Sequence, residues 1–341
     1  MSERDSSPAK TRLRLRVGFI LTRRFTICAF ANFVDVLRLA SDEGDRSRPI
    51  LCNWRVISSD MSTVTSSSGI GVQPEERLGD PTRFDYIVVI GGLMSKLEQV
   101  EPAYIAFLQR AAKAGVPLVG VCTGSFVLHS AGLLNGYRCC VSWFHHNDFL
   151  EQFDGLAPVS DQIFVVDRDR LTCSGGTSSA HLAAFLVDRH ISSDAARKSL
   201  SIMMIDEAMK ADQPQPGMPM DLTTNDKIVR RALLLFQQSL SSPPSAPELA
   251  EKLNVSPRTL ERRFAAALSM TPFEAGRKIR LAHAERLLQR TTHSITQIAQ
   301  DTGFSDVSHF IKVFKSANGS TPEVWRERWA ETAGRSTEFE L

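Results

Sequence analysis

Residues 247–272 read PELAEKLNVSPRTLERRFAAALSMTP, and residues 296–322 read TQIAQDTGFSDVSHFIKVFKSANGSTP. The second stretch repeats the first. Leu249 and Ala250 recur as Ile298 and Ala299, and Val255 recurs as Phe304, all at an offset of 49. From there the offset is 50: Leu260 recurs as Phe310, Arg262 as Lys312, Phe264 as Phe314, and Thr271-Pro272 as Thr321-Pro322. One residue has been added in the second turn. Each copy has an apolar helical seed, a short turn, and a second helix whose apolar residues lie four apart on one face. A duplicated helix–turn–helix gives this pattern.

The outer face of the second helix in the first copy carries Pro257, Arg258, Glu261 and Arg262, with Ser256 and Thr259 at its start. The second copy offers Val307, Ser308 and Lys312 there, with His309 beside them and Ser305 in the turn. Arginine can read guanine O6 and N7 in the major groove, and serine can donate to bases or phosphates. Arg263, Arg277, Lys278, Arg280 and Lys315 are better placed for phosphates or solvent. Between the copies, residues 273–289 predict one long helix whose buried stripe is Ile279, Ala282, Leu287 and Leu288. That helix fixes the distance between the units, and two recognition helices in successive major grooves must sit ~34 Å apart. The module is therefore expected to bind an asymmetric site without dimerising. The alternative is a plain helical bundle with solvated Arg and Ser. Duplication with basic residues at matching outer positions favours double-stranded DNA.

This stretch resembles the AraC/XylS family of transcriptional regulators over residues 228–328. The carrying motifs are Ser256-x-Arg258-Thr259-Leu260-x-Arg262-x-Phe264 and Ile298-Ala299-x3-Gly303-Phe304-x5-Phe310-x3-Phe314. The resemblance implies that Arg258, Arg262 and the face from Val307 to Lys312 are base readers. Family members commonly carry larger polar side chains where this sequence has Val307 and Ser308.

The rest of the chain is less basic. Residues 245–329 hold 13 Lys and Arg against 9 Asp and Glu, an excess that is larger than the +2 of the whole chain. The remainder is thus slightly acidic, as suits a basic nucleic-acid module joined to a near-neutral partner. With 341 residues, 43% hydrophobic and 23% charged, there is room for two ordinary globular domains. No apolar run approaches the ~18 residues of a membrane span, and residues 17–21 are too short for a signal-peptide core. The six cysteines, at 28, 52, 122, 139, 140 and 173, have no framework spacing. They are expected to be reduced, in a cytoplasm.

Residues 1–12 form a polar arm, expected to be disordered. Strands are predicted at 13–21, 54–58, 85–90, 116–121, 162–166 and 171–173, and helices at 30–40, 103–114, 125–131 and 180–190. Strands alternating with helices imply an α/β sandwich, flavodoxin-like with a mostly parallel sheet, over 13–210. Residues 211–226, with three prolines and a glycine, read as the linker. The all-α domain with two helix–turn–helix units spans 227–329. Residues 330–341 are a polar tail.

Within the N-terminal domain, Val119-Gly120-Val121-Cys122-Thr123-Gly124-Ser125-Phe126 reads as a strand, a sharp turn and a helix start. Such an elbow projects its central residue into a cleft beside helix-terminal amides, which lower a thiol's pKa. Gly91-Gly92-Leu93 can present further amides there, as an oxyanion hole or as a seat for a ligand carboxylate. The domain resembles the PfpI, or class I glutamine amidotransferase-like, fold. In enzymes of that kind a carboxylate on the first helix and a histidine about twenty residues after the cysteine assist it. Here the acid position falls near Ala29, in a stretch without Asp or Glu, and the histidine position falls at Ser142. His145 and His146 lie three and four residues further on and could substitute if the backbone curls back.

A thiol without base or orienting acid lacks the arrangement of nucleophilic catalysis. No catalytic residue is therefore assigned. The expected ligand-binding residues are Gly92, Leu93, Cys122, Thr123, Ser142, Trp143 and Phe144, the aromatic pair being delivered by the next strand. Such a site suits an amine that also carries a carboxylate, an amino-acid-like compound or a quaternary amine. Cys139, Cys140, His145 and His146 do not read as a metal site, because adjacent cysteines on a strand face opposite ways. No cofactor is expected.

Together the two halves resemble the amidotransferase-like branch of AraC/XylS regulators. That resemblance implies a metabolite sensor coupled to a DNA-binding domain that engages RNA polymerase, activation rather than repression, and a homodimer formed through the sensor. The rivals are a cysteine-dependent hydrolase or amidase with an auxiliary DNA-binding module, and a ligand-independent architectural DNA-binding protein.

Overall fold

The computed structural model describes residues 13–42, 44, 46–93, 100–153, 158–216, 222 and 224–336. The arm at 1–12 and part of the expected linker therefore lie outside the described residues. The chain divides into two compact units, one ending at Gln215 and the other beginning at Pro216.

The first unit runs β1 (Leu15–Leu21), α1 (Ile27–Ser41), β2 (Cys52–Ser58), β3 (Val64–Thr65), β4 (Gly71–Val72), β5 (Glu76–Arg77), β6 (Tyr86–Ile90), α2 (Pro102–Lys113), β7 (Leu118–Val121), α3 (Gly124–Ser130), α4 (His146–Gln152), β8 (Phe164–Asp167), β9 (Arg170–Cys173), α5 (Ser178–His190) and α6 (Ser193–Ile202). Among the described residues the main sheet has the order β5-β2-β1-β6-β7-β9-β8. All its pairings are parallel except β8 with β9. The central order is that of flavodoxin-like folds, with an antiparallel edge strand.

The strands are nearly continuous apolar runs because both faces are covered. In β6, Tyr86, Val88 and Ile90 enter one core with residues of α1, α5 and α6. Ile87 and Val89 enter the other, with α2 and α3. This is the two-residue alternation of a strand buried on both sides. Residues 139–144 do not continue the sheet as a strand: they make an isolated bridge, Cys140 to Val159, and then a one-turn 3-10 helix, Trp143–His145.

The second unit is helical: α7 (Lys227–Gln238), α8 (Ala246–Lys252), α9 (Pro257–Leu268), α10 (Pro272–Arg290), α11 (Ile295–Asp301), α12 (Val307–Asn318) and α13 (Pro322–Ser336). The last helix continues seven residues past Trp329, where the polarity of the tail had suggested an end. α7 with α8 and α9 encloses one core, and α11 with α12 encloses another.

α10 serves both cores, and its buried stripe differs from the one expected. Ala275 and Ile279 belong to the first core. Leu281, Ala284 and Leu288 belong to the second, with Leu287 only half-buried against it. At about 100° per residue, Ile279 and Leu281 point roughly 200° apart. The helix therefore buries one side in its first half and the opposite side in its second, and no single stripe exists.

Candidate nucleic-acid interface and ligand cleft

The duplicated pattern builds two matching units. In the first, Leu249, Ala250, Leu253, Leu260 and Phe264 are buried, and the turn passes through Asn254 at φ 54°. In the second, Ile298, Ala299, Phe304, Phe310 and Phe314 are buried, and the turn passes through Gly303 at φ 72°. Glycine suits this left-handed position. It is also sterically required, because a Cβ there would sit 2.4 Å from the Leu240 carbonyl oxygen. The added residue of the second copy is Ser305, exposed just before the cap of α12.

The two recognition helices start differently. Ser256 caps α9: its hydroxyl accepts the Thr259 N–H at 3.1 Å and lies 2.8 Å from the Thr259 hydroxyl. Asp306 caps α12, its carboxylate accepting the Ser308 N–H at 2.9 Å and the His309 N–H at 3.3 Å. A neutral cap opens the first helix and an anionic one the second.

On α9, Arg258, Glu261 and Arg262 are exposed and have no ion-pair or hydrogen-bond partner among the described residues. With Ser256 and Thr259 they line an open concavity of about 730 Å³ whose far side is Ser269, Met270, Thr271 and Glu274. Sequence reasoning missed that second wall, although the repeated Thr-Pro pair pointed to it. On α12, Ser308, His309 and Lys312 are exposed. Val307 is half-buried against the second core, so its side chain packs inward rather than standing free beside Ser308.

Two arginines expected at phosphates or in solvent hold the fold together instead. Arg263 donates to Asp226, the cap of α7, at 2.6 Å. Arg280 donates to the Gly303 carbonyl oxygen at 3.0 Å, and its guanidinium lies 4.5 Å from the Phe304 ring centroid. It ties α10 to the second turn.

In the N-terminal unit, Cys122 follows β7 at φ 57°, a left-handed backbone that a non-glycine residue adopts only under strain. It lies at the C-terminal ends of the strands, where ligands bind in open α/β sheets. The half-buried thiol faces the Thr26 hydroxyl, with Sγ 3.6 Å from Oγ1. Gly175, at φ 87°, passes so close that a Cβ there would meet the Cys122 Cβ at 2.7 Å. Burial pushes the Cys122 thiol above its ordinary pKa, against the opposing pull of the Thr26 hydroxyl and the Thr123 amide. The amides were expected to lower it; desolvation outweighs them.

Thr123 donates its hydroxyl to the Gly92 carbonyl oxygen at 2.9 Å, so Gly92, Cys122 and Thr123 form one patch. The Leu93 side chain is 56% exposed. Its amide is already donated to the Arg24 carbonyl at 3.1 Å, and that of Gly91 to Val121 at 3.0 Å. Neither is available as the anion donor expected of them.

Ser142, Trp143 and Phe144 form a second patch. The Ser142 hydroxyl accepts the Phe144 N–H at 3.3 Å, Trp143 donates its N–H to the Gln215 side chain at 2.8 Å, and Phe144 is 69% exposed. His145 is bonded to Asp148 at 2.8 Å and His146 to Ser160 at 2.6 Å. Ala29, at the acid position, is fully buried. Thr26 and Gly175 at the elbow were not singled out from sequence; Ser174-Gly175-Gly176 after a strand was the available signal. Among the described residues no group of three or more His, Cys, Asp or Glu is arranged to hold a metal ion.

Comparison with known proteins matches both units. A helix-turn-helix domain family matches residues 249–328, and the DJ-1/PfpI family matches residues 43–189. The HTH-type transcriptional regulator GbdR of Pseudomonas aeruginosa is 33% identical over 322 residues, covering 94% of this chain and 86% of the relative. The HTH-type transcriptional regulator CdhR of the same species is 29% identical, covering 89% of each. An isonitrile hydratase of Pseudomonas putida is 29% identical over 185 residues, 54% of this chain and 76% of the enzyme.

Proposed function

Because the chain belongs to the family of HTH-type transcriptional regulators that join a DJ-1/PfpI domain to an AraC-type helix–turn–helix module, we propose that its DJ-1/PfpI domain is a non-catalytic sensor. A small metabolite bound there sets the activity of the DNA-binding module. A ligand does this only by binding one arrangement of the protein better than another. Activation of transcription, engagement of RNA polymerase, a homodimer and a cytoplasmic location complete the reading.

The observation that carries the sensor reading is the surroundings of Cys122. Its neighbour is the Thr26 hydroxyl at 3.6 Å, and burial raises its pKa. A nucleophilic cysteine requires the opposite, a stabilised thiolate. In this reading the strained elbow is the floor of a ligand site, with Gly92, Cys122 and Thr123 as that floor and with Ser142, Trp143, Phe144 and Leu93 assigned to its rim. Aromatic faces suit an amino-acid-like compound or a quaternary amine.

The DNA reading assigns base contacts to Arg258, Glu261 and Arg262, supported by their exposure and their lack of partners among the described residues. Ser256 and Thr259 hold the start of α9 near the backbone. Ser305, Ser308, His309 and Lys312 serve the second half, with Val307 in a packing role.

A thermal-shift screen of the full chain against amino acids, betaines and other quaternary amines tests the sensor. A saturable rise in the melting temperature of the N-terminal unit supports it, and no response to any of them refutes this ligand class. Assaying wild type and Cys122→Ser for amide and ester hydrolysis and for isonitrile hydration tests the enzyme alternative. Turnover abolished by the substitution makes the domain an enzyme.

A further inference from the structure

The first unit ends at Gln215, and Pro216 begins the second. A residue at such an exit is ordinarily solvated, and glutamine is mostly a surface residue. Gln215 is instead 1% exposed. Its Nε2 donates to the Gln162 carbonyl at 2.6 Å and the Val141 carbonyl at 2.9 Å, with the Cys140 Sγ at 3.8 Å. Its Oε1 accepts the Trp143 N–H at 2.8 Å. One amide thus joins three pieces: the 140–141 segment, the turn at Trp143, and the approach to β8.

The chain leading to Gln215 is held as well. Met209 donates its N–H to His181 Nδ1 at 3.1 Å. Gln213 donates to the Lys210 carbonyl and accepts from Ile163, both at 3.0 Å. A buried amide is costly unless every polar atom is paired. Here the pairing is satisfied only while the turn, the β8 approach and the exit keep one arrangement.

We propose that Gln215 is the coupling residue of this regulator. It ties the turn at 142–145 to the point where the chain leaves the sensor, so that a ligand which displaces the turn releases the exit, and one that fits the held arrangement tightens it. This rests on the reading of that turn as part of the ligand site. By linkage, a change imposed at the exit also changes the affinity of the turn for its ligand.

Hydrogen exchange on the full chain, without ligand, tests the link. Gln215→Ala removes the amide. Trp143→Pro removes the N–H donor but suits the backbone: it is the first residue of the 3-10 turn, and Ser142 already has the extended conformation, φ −57° and ψ 138°, that precedes proline. Trp143→Ala keeps the N–H and removes only the indole. Gln215→Ala and Trp143→Pro should each speed exchange over residues 205–215 by ~10-fold or more, while Trp143→Ala stays within about twofold of wild type. On an operator selected from genomic DNA by the wild-type chain, the first two should shift affinity by at least about fivefold in one common direction.

Wild-type exchange in Gln215→Ala or Trp143→Pro overturns the proposal. So does an effect of Trp143→Ala equal to that of Trp143→Pro. So does faster exchange without any change in DNA affinity, which would make Gln215 an anchor only. A failed ligand screen beside a positive exchange result sinks the sensor reading and leaves the mechanical link standing.

Discussion

Arg262 and Arg280 are arginines of one basic module in opposite settings. Arg262 stands exposed on α9 with no partner among the described residues, so its guanidinium is available for a bidentate pair with guanine. Arg280 is spent on the Gly303 carbonyl and the Phe304 ring. Arg262→Ala should weaken operator binding by ~1–3 kcal/mol and relax preference at one base position, read in a binding assay against base-substituted operators. A uniform loss across all sequences would mark a phosphate contact instead. Arg280→Ala should lower the melting temperature of the C-terminal unit, and Arg280→Lys should not restore it, because a lysine cannot both stack on the ring and hold the carbonyl with a planar fork. The thiols differ in the same way. Cys28 is exposed, while Cys122 is half-buried with its pKa raised. Iodoacetamide at pH 7 should label Cys28 first and Cys122 ~10-fold more slowly; equal or faster labelling of Cys122 would revive a nucleophilic role.

Elements show where sequence reading succeeded and where it stopped. The repeat was legible because Leu260 and Phe264, and Phe310 and Phe314, are buried by local four-residue spacing that any helix imposes. The sheet was legible because strands covered on both faces read as apolar runs. The stripe of α10 was not, because Ile279 and Leu281 serve cores on opposite sides, a fact of tertiary packing. Nor was the turn at 143–145: its Trp143 N–H is donated to Gln215, 72 residues away. The Cys122 elbow was visible, but whether amides or burial would win at its thiol depended on how deeply the chain encloses it.

Gly303→Ala should destabilise the C-terminal unit by ~1–3 kcal/mol in a denaturant melt, since it adds strain at φ 72° and a clash with the Leu240 carbonyl. Asn254→Gly, at the equivalent turn, should be far milder. The segment before Gln215 carries a pH dependence through His181. Burial depresses its pKa, and Nδ1 must be unprotonated to accept the Met209 N–H. The unfolded chain, with His at its ordinary value of about 6.5, takes up the proton first as pH falls. The stability that neutral His181 provides is therefore complete above that value and lost as pH drops through the lower folded one. The N-terminal melting temperature should fall between pH 7.5 and 5, and His181→Gln should reduce that slope.

At the scale of the whole molecule, a DJ-1/PfpI unit and an AraC-type unit meet in one regulator, and their chemistry is unequal. The first unit carries the strained elbow at Cys122, whose thiol faces the Thr26 hydroxyl. The second has two helix–turn–helix heads, one opened by Ser256 and carrying three charges without a partner among the described residues, the other opened by Asp306 with its carboxylate spent on capping. An anionic cap also disfavours close approach of phosphate. Sequence recognition is therefore expected mainly in the first head. Its most direct test is selection of binding sites from random DNA, comparing wild type with Arg258→Ala/Arg262→Ala and with Ser308→Ala/Lys312→Ala. The first pair should erase preference over one contiguous half of the selected site, and the second should lower affinity while the selected sequence stays recognisable. Recovery of the wild-type motif by Arg258→Ala/Arg262→Ala would contradict it.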